Sequence, residues 1–359
     1  MPFGQIIVGP PGSGKTTYTH AVSQFLDAIN RPYIIVNLDP ANENIPYKCD
    51  IDVNDLITLE DVMNEFGLGP NGSLIYCMEF LEKNMDWLLD QLEAADFRNK
   101  YVVIDCPGQV ELYTTNNSVL NIISNLTSTH SRSLRPDEES ASTATVKPGP
   151  DLRLTVLNLI DSSHLMSPTK YISILLLSLQ TMLHLALPHI NVLTKMDLVE
   201  SYGKLSMSLE FYLDVMDLSY LLDQLNQDAF SRKYYKLNEA LVSLLEDFAY
   251  VNFHPLCVLD KESMWRLIKA VDKSNGYIYQ PDEKKAGMFE EAAALESEWE
   301  WRSGINERYL KDNMKLDEYV ADESEASAET TLERERAAIG LQGLGKAAED
   351  FRVIERRTW

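Results

Sequence analysis

The chain has 359 residues, 45% of them apolar, which suits one large α/β domain with additions rather than a minimal fold. A formal net charge of −23 argues against direct binding to a nucleic-acid backbone, which needs clustered Lys and Arg, and suits partners with basic surfaces. Cys49, Cys77, Cys106 and Cys257 form no CxxC pair, so neither a zinc knuckle nor a disulfide framework is expected, and free thiols fit a reducing cytosol or nucleus.

The opening "MPFGQIIVGPPGSGK" has no basic n-region, so no cleaved signal peptide is expected. "GQIIVG" reads as a first strand. The run "TTYTHAVSQFLDAI" follows as a helix, with Ala21, Val22, Phe25, Leu26 and Ile29 on one face. "YIIVNLD" is a second strand and "LEDVMNEF" a helix. "LGPNGSLIY" reads locally as a tight turn, because Pro70 presets φ while Asn71 and Gly72 tolerate positive φ. "DWLLDQLEAADF" is a helix and "KYVVIDCPG" a strand.

Residues 128–150 are Ser/Thr/Pro-rich without apolar period, and are expected to be a disordered surface insertion. "LTVLNLIDS" and "HINVLTKMD" are continuous apolar strands with a helix at 171–187 between them. The apolar stretch "YISILLLSLQTMLHLALPHINVL" is broken by Ser173, Ser178, Gln180, His184 and Pro188, so a buried helix and strand are expected there rather than a membrane span. Residues 200–250 have a helical pattern and interrupt the strand alternation. From about 281 to 359 the chain is an acidic, Ala/Glu-rich tail, partly helical or disordered. Continuous strands alternating with helices predict a mostly parallel central sheet covered by helices on both faces, spanning residues 1–280.

"GPPGSGKT", Gly9 to Thr16, matches G-x-x-x-x-G-K-[ST] between a strand and a helix, the context that a phosphate-binding loop requires. Gly9, Gly12, Ser13, Gly14 and Thr17 belong to this binding segment. The small residues let backbone N–H groups wrap a β-phosphate, and the helix N-terminus adds a favourable partial charge. Lys15 would reach the β- and γ-phosphates, and the Thr16 hydroxyl would be a Mg²⁺ ligand. Asp105 ends "YVVID", the second Mg²⁺ position. In "DCPGQ", the Gly108 N–H can sense a γ-phosphate, and Gln109 either orients an attacking water or is a solvated loop residue. Asp39 of "NLDPA" either positions or deprotonates that water or caps the following turn.

"TKMD" supplies Thr194, Lys195 and Asp197 after a buried strand. A carboxylate at Asp197 accepts from guanine N1–H and the N2 amino group together, and adenine would leave it unpaired. The Lys195 stem is expected along the purine face, and "FHPLCVLDKES" is where a final base-contacting loop is expected.

In this order, "GPPGSGKTT", "NLDPAN", "LGPNGSLIY", "DCPGQVELY" and "TKMDL" resemble the GPN-loop GTPases, and "YGKL" and "DKESM" look most like the second of that family's three eukaryotic paralogues. The resemblance implies a P-loop NTPase fold, binding of GTP and GDP with Mg²⁺, and hydrolysis of GTP to GDP and phosphate. It implies a homodimer, or a heterodimer with a paralogue, in which the Gly-Pro-Asn turn reaches the partner's site and Asn71 approaches the γ-phosphate. It further implies a role in assembly and nuclear import of RNA polymerase II, with that enzyme's subunits or assembly factors as partners. The location would then be cytoplasmic with shuttling to the nucleus. Thr194 departs from the family's more usual Asn, which affects a bond that steadies the phosphate loop. Two competing readings are a P-loop kinase for a small acceptor, which would need an acceptor pocket and a basic lid, and a nucleotide-binding scaffold without significant turnover.

Overall fold

The computed structural model describes residues 2–42, 45–128, 150–215, 218–225, 232–248, 251–277, 301 and 304–310. The chain divides into two compact units, residues 1–303 and 304–359. In the first, strands β1 (Phe3–Val8), β2 (Tyr33–Asn37), β3 (Ile51–Asp52), β4 (Tyr101–Asp105), β5 (Arg153–Asp161), β6 (His189–Thr194) and β7 (Phe253–Pro255) form one sheet in the order β3-β2-β4-β1-β5-β6-β7. Every pairing is parallel. All strand C-termini therefore lie along one edge of the sheet and all N-termini along the other.

The helices are α1 (Lys15–Ala28), α2 (Leu59–Phe66), α3 (Pro70–Lys83), α4 (Met85–Ala94), α5 (Glu111–Thr114) and α6 (Ser118–Thr127). After β5 come α7 (Pro168–Leu185), α8 (Val199–Tyr202), α9 (Leu209–Leu213), α10 (Ser219–Leu225), α11 (Tyr235–Phe248) and α12 (Lys261–Asn275). Alternate strand residues enter two separate cores, which explains why the strands are apolar at consecutive positions. Ile6, Val8, Ile34, Val36 and Ile104 pack with Met78, Leu81, Leu88 and Ile122 of α3, α4 and α6. Ile7, Ile35, Val103 and Leu157 pack instead with Tyr18, Val22 and Leu26 of α1 and with Leu267 and Val271 of α12. The expected helical face of α1 is present except at Ile29, which is 41% exposed just beyond the last turn.

The structure corrects the reading of "LGPNG". Gly67 ends α2 in the left-handed region at φ 63°, and the chain then enters α3 directly. Pro70, Asn71 and Gly72 form the first turn of that helix, with no positive φ at Asn71 or Gly72. Pro is well suited to the first helical position, where its missing N–H has no intrahelical partner to lose. Leu74, Cys77, Met78 and Leu81 give α3 a buried face at helical spacing, so packing sets the conformation here rather than local turn chemistry.

Two short strands, β3 and β7, were not anticipated; both lie at sheet edges. Between β6 and β7 the described residues hold α8 to α11. The Leu152 N–H donates to the Leu126 carbonyl oxygen at 3.0 Å, so the Ser/Thr/Pro-rich segment leaves and rejoins the domain at adjacent points. Residues 129–149 themselves lie outside the described residues, as does the tail from 281 apart from Trp301 and residues 304–310. The described part of the second unit contains the short helix Ile305–Tyr309. No helix among the described residues is long and apolar enough to cross a membrane.

Candidate functional site

The C-terminal edge of a parallel sheet, beside the point where connections leave in opposite directions, is where such folds bind ligands. Here β1 lies between β4 and β5, and the segment Gly9–Gly14 leaves its end to start α1. Gly9 has φ 147°, and a Cβ there would stand 2.3 Å from the Leu159 carbonyl oxygen, so only glycine fits against β5. Gly14 enters α1 at φ 93°, and no side chain caps the helix. The first N–H groups of α1 thus remain available to an anion.

Lys15 Nζ donates to the Gly9 carbonyl oxygen at 3.0 Å and to that of Pro10 at 3.2 Å. Burial lowers its pKa, while the charges of Asp105 and Asp39 work to raise it. Gly108 approaches this lysine closely: a Cβ on it would stand 3.1 Å from Nζ. The Ser13 side chain is buried, and its hydroxyl has no hydrogen-bond partner. Thr16 Oγ1 accepts from Asn42 Nδ2 at 3.1 Å, and Thr17 is exposed.

Asp105 closes β4 and is 1% exposed. Burial pushes its pKa up to about 6, despite a 2.8 Å hydrogen bond from the Tyr47 hydroxyl and the nearby Lys15 charge. Its other oxygen, Oδ1, has no hydrogen-bond partner. Asp39 follows β2, and its pKa is also raised by burial, partly offset by Lys15. Asp39 Oδ1 accepts from the Ala41 N–H at 3.0 Å, so it does cap the following turn, and it also lies in the field of the phosphate-loop lysine. Both alternatives for this residue therefore have a physical basis.

Gln109 Nε2 donates to Asn71 Oδ1 at 2.6 Å. The start of α3 is thus brought against the segment after β4 within one chain. The Tyr113 hydroxyl donates to the Pro107 carbonyl oxygen and ties down the turn that carries Gly108 and Gln109.

The "TKMD" segment contacts the phosphate loop directly. The Thr194 hydroxyl lies 2.7 Å from the Ser13 carbonyl oxygen and 3.1 Å from that of Ile160, and its single hydrogen goes to the closer. The departure from Asn therefore preserves a bond to the loop. Lys195, at φ 57°, directs Nζ to the Gly12 carbonyl oxygen at 2.8 Å and to Asp161 Oδ2 at 2.6 Å. Its stem consequently runs across the mouth of the site. Asp197 is exposed, and the buried Cys257 thiol after β7 lies within its electrostatic reach.

Three residues of this cluster were missed in the sequence. Asp161 ends β5 as Asp105 ends β4, so a carboxylate closing an apolar strand was an available signal. Burial alone would raise the Asp161 pKa, but the hydrogen bonds from Lys195 and the Ser163 N–H overcome it and hold the group below its ordinary value. Asn42 stood in "NLDPAN" without a role of its own and Tyr47 had no signal, because only folding brings the segment after β2 onto Thr16 and Asp105.

The donors around Asp105 and Thr16 suit a hard cation. They are oxygens, and one buried carboxylate oxygen is unpaired. Among the described residues no cluster of three or more His, Cys, Asp or Glu could hold a metal ion. A cation here would therefore keep water and ligand phosphates in its shell, which is the habit of Mg²⁺.

The chain is similar to known proteins over most of its length. The family described as "Conserved hypothetical ATP binding protein" matches residues 7–134 and 142–277. The chain is 47% identical over 314 residues to the GPN-loop GTPase QQT1 of Arabidopsis thaliana, covering 87% of this chain and 98% of that protein. It is 46% identical over 310 residues to GPN-loop GTPase 2 of Danio rerio, covering 86% and 92%. The counterpart in Saccharomyces cerevisiae is 42% identical over 321 residues, covering 88% and 87%. Among solved structures, an apo GTPase from Pyrococcus abyssi superposes with a TM-score of 0.56 at 24% identity, covering 76% of this chain and 97% of that one, a likeness of fold.

Proposed function

Because the chain belongs to the GPN-loop GTPase family, we propose that it works as a Mg²⁺-dependent, dimeric switch that binds GTP and hydrolyses it to GDP and phosphate. The observation that carries this reading is the contact between the base-reading and phosphate-binding segments. Thr194 bonds the Ser13 carbonyl and Lys195 bonds the Gly12 carbonyl, so guanine selection and phosphate binding share one rigid frame. The family description speaks of ATP, but the exposed carboxylate of Asp197 is matched by the paired donors of guanine and by nothing on adenine.

The chain's own residues then divide the work. The N–H groups of Gly12, Ser13, Gly14 and Lys15, with Gly9 before them and Thr17 after, cradle the phosphates. Lys15 exchanges its two carbonyl acceptors for phosphate oxygens. Thr16 and Asp105 would hold Mg²⁺, which shields phosphate charge during transfer. The Gly108 N–H meets the γ-phosphate. Gln109 orients the attacking water, and Asp39, made more basic by burial beside Lys15, accepts its proton. Asn71 stabilises the developing charge or the water. An exposed hydrogen bond such as Gln109–Asn71 is worth about 1 kcal/mol, so Asn71 can leave its own Gln109 for a partner's site at little cost. Support for a partner there comes from the unbroken exposure of residues 64–72, where Phe66 is 53% and Leu68 38% exposed. The partner is a second copy or a paralogue. By family resemblance the switch serves assembly and nuclear import of RNA polymerase II, acting on its subunits or assembly factors from the cytoplasm with shuttling to the nucleus. The net charge of −23 suits clients with basic surfaces.

Single-turnover assays with GTP, ATP and XTP, run beside a solution mass measurement, test this reading. GTP should be preferred, the mass should be that of a dimer, and Asp197→Asn should shift preference toward XTP. An unchanged GTP-to-XTP ratio in the folded variant would remove Asp197 from the base site. Mixing two inactive chains, Asn71→Ala and Lys15→Ala, tests the reach of Asn71. Activity should return as mixed dimers form; if subunits exchange and none returns, Asn71 serves only its own chain.

A further inference from the structure

The geometry points to Tyr47 as a positioning residue for the cation site: its hydroxyl fixes the Asp105 carboxylate by one oxygen and reserves the other for the metal. Tyr47 belongs to none of the phosphate or base motifs. Its ring is 6% exposed and packs in the α1-side core with Ile35, Val103 and Leu157. From there the hydroxyl donates to Asp105 Oδ2 at 2.8 Å. Asp105 Oδ1 has no hydrogen-bond partner; the neighbouring Thr19 hydroxyl directs its one hydrogen to the Lys15 carbonyl oxygen at 3.0 Å. A buried carboxylate with one oxygen held and the other unpaired has unused acceptor capacity at a fixed place, which is what an entering cation or its water needs.

The segment that carries Tyr47 is held on both sides of it. The Asp50 N–H donates to the Ile35 carbonyl oxygen at 3.0 Å, and Asp50 Oδ2 accepts from the Ile35 N–H at 3.0 Å. Upstream, Asn42 donates to the Thr16 hydroxyl. One stretch of chain thus touches both residues assigned to the metal, Asn42 on Thr16 and Tyr47 on Asp105. A phenol placed only for packing would not need to end on the strand-end carboxylate. The inference rests on the reading that Asp105 serves Mg²⁺.

The test is a Mn²⁺ titration followed by the electron paramagnetic resonance of the free ion, on the full chain saturated with GDP. Tyr47→Phe, which keeps the ring and removes the hydroxyl, should weaken Mn²⁺ binding by about ten- to a hundredfold. GDP affinity in EDTA should stay at the wild-type value. A packing role alone would lower the melting temperature and leave Mn²⁺ affinity unchanged, and that result overturns the inference. Asp105→Asn separates the two levels. If it weakens Mn²⁺ binding while Tyr47→Phe does not, the role of Tyr47 fails alone. If Asp105→Asn has no effect, the metal reading fails and this inference with it. Should Tyr47→Phe not fold, 3-fluorotyrosine at position 47 keeps the shape with a more acidic phenol. A changed Mn²⁺ affinity is then expected, and an unchanged one overturns the proposal.

Discussion

The two edges of the sheet are built from similar residue types to opposite ends. At the strand C-termini, Asp105 and Ser13 keep buried oxygens without hydrogen-bond partners, and Gly9, Gly12, Gly14 and Lys195 all have positive φ. At the strand N-termini, charge is closed off. Arg31, just before β2, pairs with Asp272 of α12 at 2.9 Å, the two side chains being 7% and 14% exposed. Its guanidinium lies 4.0 Å from the centre of the Tyr101 ring and 3.7 Å from that of Tyr277. Nε and Nη2 lack acceptors, but the rings on either side replace water there. One edge keeps polar groups in readiness for a ligand, and the other spends them on holding α12 to the sheet. Unpaired groups and left-handed residues occur at both edges, at His189, Asn30 and Asp151 as well as at Asp105 and Lys195; what distinguishes the ligand edge is that they gather around the phosphate loop.

Exchanging damage between the edges should give the largest contrast. Lys15→Ala is expected to lower GTP turnover by about a thousandfold, since one charge-stabilising donor at a phosphoryl-transfer site is worth that much. It should leave the urea midpoint of the nucleotide-free protein close to wild type. Arg31→Ala should do the reverse. It breaks the mostly buried pair with Asp272 and should cost about 3 kcal/mol of stability. Turnover per folded molecule should be kept. If Arg31→Ala unfolds at the wild-type urea concentration, the clasp is not structural and the contrast between the edges collapses.

The two edges were also unequally legible in the sequence. The ligand edge was read from contiguous motifs, because Gly9 to Thr16, Asp105 to Gln109 and Thr194 to Asp197 each sit on one strand end. The strands were visible because both faces of the sheet are covered, which makes them apolar without alternation. β3 and β7 were missed because two or three residues carry no period, and Pro255 argues against a strand except at a sheet edge, where β7 lies. The Arg31 clasp joins positions 241 residues apart and could not be read locally. The start of α3 was misread for a different reason. Its composition signals a turn, while the buried spacing of Leu74, Cys77, Met78 and Leu81 downstream requires a helix.

A smaller effect should appear at Asp105 in the absence of ligand. Its pKa is pushed up to about 6, so the fold tolerates its charge less well than the unfolded chain does. Such a group favours the fold below the ordinary carboxylate range, and that contribution is lost as pH rises through about 6. Asp105→Asn should therefore stabilise the nucleotide-free protein at pH 7.5, on the order of 1–3 kcal/mol. The gain should shrink as pH falls toward 4. Urea titrations at several pH values check it, and a variant less stable than wild type at pH 7.5 would contradict the view of this edge as held against its own stability.

The smallest effect has the opposite sign and belongs to the other edge. His189 begins β6, and burial pushes its pKa down to about 4. Both ring nitrogens lack hydrogen-bond partners, and the nearby Asn191 side-chain oxygen already accepts from Asn158 Nδ2 at 3.0 Å. The fold thus holds this imidazole neutral where the unfolded chain would protonate it. A depressed folded pKa means stability that is present above the ordinary histidine value and is lost as pH falls toward 4. His189→Phe removes the titration and keeps an aromatic ring of similar breadth. Between pH 7.5 and 5.5 the wild-type protein should lose on the order of 1 kcal/mol more stability than this variant. Equal losses in the two proteins would show that His189 reaches water through a path the static structure does not contain.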